Sequence, residues 1–494
     1  MMRKGWLFAA LLFLWSACAG TFWAQEGSAQ APSTTGEAAS STASQTEPGQ
    51  TVAPGPGSDT NQPPSTAERM TPLSGALTLT PGVGGATQSY LLPSFGWTGY
   101  ADTNPTGFNR STTPRTQSTY NGSLTLQRIG RHSQLNLSYQ GGASWYNQPF
   151  PAQTLASIKP YSFFHELGLF EQVSTSRWKW LVGDQGMYLP QSPLGFSGFG
   201  GMTSFGGGLG GSALAKSPAL GTAFSPDQSI ATGLSRRLGN TALTQIEYDA
   251  SGRSTITATA SYGTLQFLDP GFLDSRYMTF MAGYNHILGP RDEVAVTYAH
   301  YYFKFSGPNR ELLDRGFAFS YGHQISGRLS LQISVSPLVH QIAKPLGGSI
   351  TQSFVSTSDS LQFRSRKWDA MLSFARIPTG GAGILPGAET DLARANLGRQ
   401  LSRKIRGSLE FSHAYSQSAV QQSSLAVRSK YEYWEAGASL SREFGPHLST
   451  YLDYSAQRQI SNTPLCVGGN CTTVFLRQVG GIGINLHPRP IKIR

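Results

Sequence analysis

Charge is what this chain has least of. Asp, Glu, Lys and Arg together make up 13% of its 494 residues, about half the ~25% usual for a soluble globular protein, so an ordinary solvated surface is a poor match. Long apolar runs are missing too. After the start of the chain no stretch approaches the roughly 18 consecutive apolar residues that a helical span needs, which excludes helical crossing of a membrane. If the chain enters a bilayer it does so as strands, whose backbone groups satisfy one another. Cysteine numbers three, neither CxxC nor HExxH occurs, and the nine His are scattered, with His132, His286 and His447 in or beside turn sequences. No metal site and no cofactor are expected from such a set. A basic helix and an aromatic-and-basic sheet motif are both lacking, so nucleic acid finds no recognition element.

What is plentiful is glycine, 57 residues, and aromatic side chains at 11%. The first residues read as a secretory signal: Arg3 and Lys4 are positive, residues 6–15 are apolar, and Ala17-Cys18-Ala19 supplies an A-x-A-like cleavage site. Residues 1–24 are therefore expected to be removed, with cleavage near Ala19 or Ala24; lipidation at Cys18 is the alternative. Residues 25–70 are Ser, Thr, Pro, Gly, Gln and Ala with almost no large apolar side chain, so they cannot bury enough surface to offset ordering entropy. They predict a disordered periplasmic arm, followed at 71–93 by a leader at the barrel mouth or partly inside it.

From residue 94 onward the pattern is strict alternation. Leu135, Leu137, Tyr139, Ala143 and Trp145 oppose Gln134, Asn136, Ser138, Gln140 and Ser144; Ile256, Ala258, Ala260 and Tyr262 oppose Thr255, Thr257, Thr259 and Ser261. Leu329 to Val335 and Ile405 to Tyr415 repeat it, each predicting a strand with one apolar face. Eight turn sequences punctuate the strands, at 130–132, 174–177, 250–253, 289–292, 326–328, 365–367, 402–404 and 444–447. Two strands, one tight turn and one longer connection fill each interval, the up-and-down hairpin unit of a membrane barrel with its short turns on the periplasmic side. Parity then gives a count. Eight tight turns bound 16 strands, and one more at each end, near 95–101 and 474–486, makes 18 with both termini periplasmic; 16 is the alternative. Aromatics near strand ends (Trp145, Tyr146, Trp178, Trp180, Trp368, Tyr431, Tyr433 and Trp434) are expected to face outward as interfacial girdles. Soluble propellers and solenoids also repeat strands, but no short motif recurs within the period.

The chain resembles the outer-membrane β-barrel proteins of Gram-negative bacteria, and PLSGALTLTP, SYLLPSF with ADTNP, and SYGTLQFLDPGFLDS are similar to poorly characterised barrels of acidobacterial type. The resemblance implies outer-membrane lipids and the barrel assembly machinery as partners. It departs from the family at Pro490-Ile491-Lys492-Ile493-Arg494, where an aromatic end is usual.

A barrel of 16 to 18 strands leaves an aqueous lumen, so a passive channel for small solutes is the expected function. The longest insertion, 190–239, contains Gly195 to Gly211, in which Phe196, Phe199 and Phe205 are candidates for a pore constriction; an extracellular loop is the alternative. Net charge is +11, or +9 without Arg3 and Lys4. Arg328 and Arg406 fall on polar strand phases, and a basic lumen would prefer anions; charge confined to the rims is the competing reading. Cys466 and Cys471 bracket Val-Gly-Gly-Asn in the last loop of an exported protein and predict a disulfide. Catalysis finds only His132-Ser133 and Ser412-His413, and neighbours on a strand point to opposite faces, so no enzyme is expected. Adhesion or scaffolding through arm and loops is the remaining alternative, with oligomeric state open.

Overall fold

A computed structural model describes residues 89–104, 114–147, 161–189, 236–268, 273–306, 311–343, 348–379, 387–419, 429–445, 447–467 and 470–493. The strands are β1 (Tyr90–Asp102), β2 (Arg115–Ile129), β3 (Ser133–Tyr146), β4 (Tyr161–Ser174), β5 (Trp178–Leu189), β6 (Arg237–Asp249), β7 (Ser254–Phe267), β8 (Ser275–Ile287), β9 (Asp292–Phe305), β10 (Glu311–Ser326), β11 (Leu329–Ala343), β12 (Ser349–Arg364), β13 (Trp368–Thr379), β14 (Ala388–Ser402), β15 (Ile405–Ser418), β16 (Lys430–Glu443), β17 (Leu448–Val467), β18 (Asn470–Leu486) and the short β19 (Ile491–Lys492). Among the described residues there is no helix. Each strand from β1 to β18 pairs antiparallel with the next, and β18 returns to β1 from Leu486 opposite Phe95 to Val479 opposite Asp102. The sheet is thereby closed into an 18-strand barrel with no free edge, and β19 adds two pairs beside Tyr90 and Leu91.

The eight tight turns all lie at one end. Their closing bonds are short: the Gly130 amide donates to Ser133 O at 2.7 Å, Thr175 to Trp178 O at 2.7 Å, Ser365 to Trp368 O at 2.7 Å and Phe444 to Leu448 O at 2.8 Å. In the last of these turns Gly445 has φ +134°, a backbone region that side chains with a Cβ rarely occupy. β1 begins and β18 ends at this same turn side. β1 starts at Tyr90, ahead of the expected boundary near 95, with Tyr90 to Ser94 in register with Gln127 to Ser123 although Pro93 donates no amide hydrogen to the ladder.

The alternation sorts the side chains as a membrane barrel requires. Phe95, Ile256, Phe319, Leu372, Leu409, Leu452 and Ile482 point outward and are exposed, whereas Thr257, Ser261, Thr297, Ser356 and Ser373 point inward and are buried. Outward aromatics include Trp145, Trp178, Trp180 and Trp434. Tyr146, Tyr431 and Tyr433 correct the expected girdle: all three are buried on the inward face. Their partners in register are Gln117, Ser461 and Gln459, all inward and buried, so these tyrosines belong to the interior wall.

Candidate functional site

Among the described residues, polar groups converge on the inward face. On the turn side it is mixed: Ser94, Asn121, Asn136, Gln332, Ser334 and Asn485 are partly exposed, while Gln127, Thr257, Asn285 and Glu293 are buried. Toward the long connections it is dry, and Thr390, Ser416, Gln459, Tyr433, Phe475 and Arg477 are at most 1% exposed. Hydroxyl pairs bridge neighbouring strands along the wall, as in Thr119 with Ser144 (2.9 Å) and Thr390 with Ser416 (2.9 Å), and Tyr277 on β8 reaches across β7 to Thr241 on β6 (2.7 Å). Such pairs satisfy the hydroxyls that inward alternation buries.

Several charges on the wall occur as neighbours of opposite sign, while Glu166 is held by the amide of Gln185. On the turn side Lys179 donates to Glu247 at 2.5 Å, and Arg406 donates through Nη2 to Asp369 Oδ1 at 2.8 Å. Across the closing seam Arg477 grips Asp102, with Nη2 to Oδ2 at 2.6 Å and Nε to both carboxylate oxygens at 3.1 and 3.2 Å. Both partners of that seam pair are fully buried, and a planar guanidinium is suited to holding a carboxylate in this manner. Arg394 on β14 lies in the field of Glu410 and Glu435 from the two following strands.

The dry half also carries apolar groups. Tyr277, Tyr301, Phe303, Phe305, Leu312 and Ile342 form one buried cluster on β8 to β11. Glycine makes room for part of it: a Cβ on Gly263 would come within 2.1 Å of the Tyr277 ring. Within this cluster Asp314 and His340 are opposed in register across β10 and β11, and His340 Nδ1 is hydrogen-bonded to Asp314 Oδ1. His340 is 2% and Asp314 0% exposed.

Of the residues singled out in the sequence, Arg406 lies on the inward wall with Asp369, while Arg328 stands exposed in the tight turn before β11, its carbonyl accepting from the Arg364 amide. Phe196, Phe199 and Phe205 lie outside the described residues. The register sets Cys466 directly opposite Cys471 at the tip of the β17–β18 hairpin. Ser412 faces inward, whereas His413 faces outward and is bonded to Glu432 at 3.1 Å, so the two are not partners. His132 is exposed in its turn. Sequence reasoning missed the His340–Asp314 pair and the seam pair. A signal for the first was present, since Leu338, Val339 and Ile342 make both phases of late β11 apolar, as happens when outer and inner faces are dry together.

No family model matches this chain, and no curated protein matches it. Among solved structures it is similar to Pseudomonas aeruginosa OpdK with vanillate, at 10% identity and a TM-score of 0.42, covering 81% of this chain and 99% of that one. It is similar to P. aeruginosa OccK2 (OpdF) in complex with glucuronate, at 10% identity and a TM-score of 0.41, covering 82% and 98%. Acinetobacter baumannii OccAB3 gives 9% identity, a TM-score of 0.41 and coverage of 81% and 99%.

Proposed function

We propose that this protein is an outer-membrane channel through which small solutes pass passively. The observation that carries the reading is the closed 18-strand barrel, apolar outside and polar inside, because a barrel of this strand number encloses more space than side chains alone fill. In this reading residues 1–24 direct export, the tight turns and both barrel ends face the periplasm, and the assembly machinery inserts the strands. Kinship with acidobacterial-type barrels belongs to the same proposal. So does an anion preference, for which the wall offers Arg394, Arg406 and Arg477, each beside carboxylates. No catalytic role is assigned.

One observation favours a second reading. The dryness of the wall toward the long connections suits a barrel that presents a surface and conducts nothing. Liposome swelling separates the two: vesicles carrying the refolded mature protein should admit small sugars and amino acids at rates that fall with solute size. Vesicles that hold correctly folded protein and never swell would remove the channel reading and leave the scaffold.

A further inference from the structure

The eight tight turns share one backbone bond. In each, the residue before the returning strand accepts through its carbonyl an amide from near the end of the strand that follows, at 2.7 to 2.9 Å. Arg177, Arg253, Arg291, Arg328, Lys367 and Lys404 hold this position in six of the turns, and a histidine holds it in the other two. Turn geometry selects Gly, Ser, Asn or Asp; it has no use for a basic side chain at one fixed place in all eight. The recurring bond sets these residues at one level around the barrel end, two strands apart, which is about 10 Å at the usual strand spacing. All six Arg and Lys side chains are exposed, and among the described residues none of them is in an ion pair. The eight turns hold nine Arg and Lys against one acid, Asp292, which is taken up by Tyr321 and His323 at 2.6 and 2.8 Å. Of the acids at the strand ends, Asp249 and Asp369 face the inward cations Lys179 and Arg406, and Glu171 and Glu443 are too few to neutralise the ring. Like charges held at a fixed spacing repel one another, so the collar is completed by an anion from outside.

We propose that this collar is a docking surface for the phosphate groups of anionic phospholipids in the leaflet at the turn end. The lipid-facing surface runs down to it: Leu288, Ile325 and Leu401 stand three residues before Arg291, Arg328 and Lys404 and are exposed, and exposed Trp178 follows Arg177 directly. Apolar side chains that close to the cations put the collar at the level of the headgroups. Two outward arginines mark the same level, Arg399 with its Cζ 4.4 Å from the Trp368 ring centroid and Arg442 with its Cζ 4.6 Å from that of Phe444, as befits a cation held at an aromatic girdle. Guanidinium and ammonium groups give a phosphate charge-assisted hydrogen bonds, Arg in bidentate form, and basic groups at a membrane surface draw anionic lipid. The charge is densest where Arg366 and Arg403 stand beside Lys367 and Lys404 in two neighbouring turns tied by the Gln400 amide to Lys367 O at 2.8 Å. The inference requires a barrel in a bilayer and is independent of whether that barrel conducts.

The test is native mass spectrometry of the full mature protein, folded in neutral detergent and given equal amounts of phosphatidylglycerol and phosphatidylcholine with the same acyl chains. Preferential retention of phosphatidylglycerol is expected. The variant Arg366→Gln/Lys367→Gln/Arg403→Gln/Lys404→Gln should lower that retention about tenfold, the weight of one to two charges at a membrane surface. Arg366→Lys/Arg403→Lys keeps the charge and should lower it by less. As the control for net charge, Arg276→Gln/Lys304→Gln/Arg315→Gln/Arg458→Gln removes four cations from the outward face toward the long connections and should leave retention near the wild-type level. Folding of each variant is checked by heat-modifiable migration. Equal retention of the two lipids, or equal loss in the two fourfold variants, would overturn the docking surface. Soluble polygalacturonate, an acidic polymer without acyl chains, is titrated in parallel: its capture by a protein that shows no lipid preference would overturn the lipid assignment and give the collar to an anionic polymer.

Discussion

At the scale of single residues, the decisive feature is the buried ion pair at the closing seam. Arg477 and Asp102 meet inside the seam where the last strand closes on the first. Removing one member leaves the other desolvated and unpaired, which typically costs about 3–5 kcal/mol. Arg477→Leu should therefore destabilise the barrel by about that much in urea unfolding from lipid vesicles, and adding Asp102→Leu should recover most of it. If the single and double variants are equally unstable, the pair is not what holds the seam. A second residue-scale effect lies at the turn side. His487 follows β18, its amide donates to His447 O at 2.8 Å, and desolvation lowers its pKa from the ordinary 6.5. A base whose pKa is lower folded than unfolded binds its proton more readily unfolded, so its contribution is fully present above pH 6.5 and is lost as pH falls below that value. Unfolding measured at pH 7 and pH 5 should show the loss, and His487→Gln should flatten it. A variant that retains the full pH dependence would assign the effect elsewhere.

Among the elements, each strand has a lipid side and a wall side set by parity, and substitutions should obey that parity. Leu372, 57% exposed on β13, faces the apolar band; Leu372→Lys should cost about 2–4 kcal/mol, as a charge at mid-bilayer does. Asn136 on β3 faces the water-reachable wall, and Asn136→Lys should cost less than ~1 kcal/mol. Equal costs would contradict the assigned faces. The hairpin β17–β18 yields a further expectation, because its register opposes Cys466 and Cys471. The exported, oxidised protein should show no thiol to an alkylating reagent until it is reduced; labelling before reduction would rule the disulfide out.

The strands were legible in the sequence because a period of two with turn residues between is a local signal. All eight tight turns stand where Gly, Ser, Arg and Pro clusters interrupt the alternation. What was not legible is which aromatic points where. Tyr431 and Tyr433 share a phase with Glu435, and an apolar residue on the polar phase cannot be told from a girdle residue until the register is known. The same holds for charge. Arg406 was readable as inward, but its partner Asp369 is 37 residues away, and β14 lies between their strands. Contacts that form only when the barrel is assembled leave no pattern at short range.

For the whole molecule, the two halves of the interior differ. The turn-side wall is polar and only in part exposed, with Asn136 and Gln332 reachable and Gln127 and Thr257 buried; the far half is dry and partly aromatic. A channel built this way admits ions from the turn side and controls them in the dry half, so its conductance should be smaller than that of a barrel wetted throughout. The measurement that bears most directly on the account is single-channel recording of the refolded mature protein in a planar bilayer, with the reversal potential taken in a salt gradient. The account predicts stable, discrete openings, with a reversal potential on the anion-selective side. Protein that migrates as a folded, heat-modifiable barrel and yet never opens would contradict it.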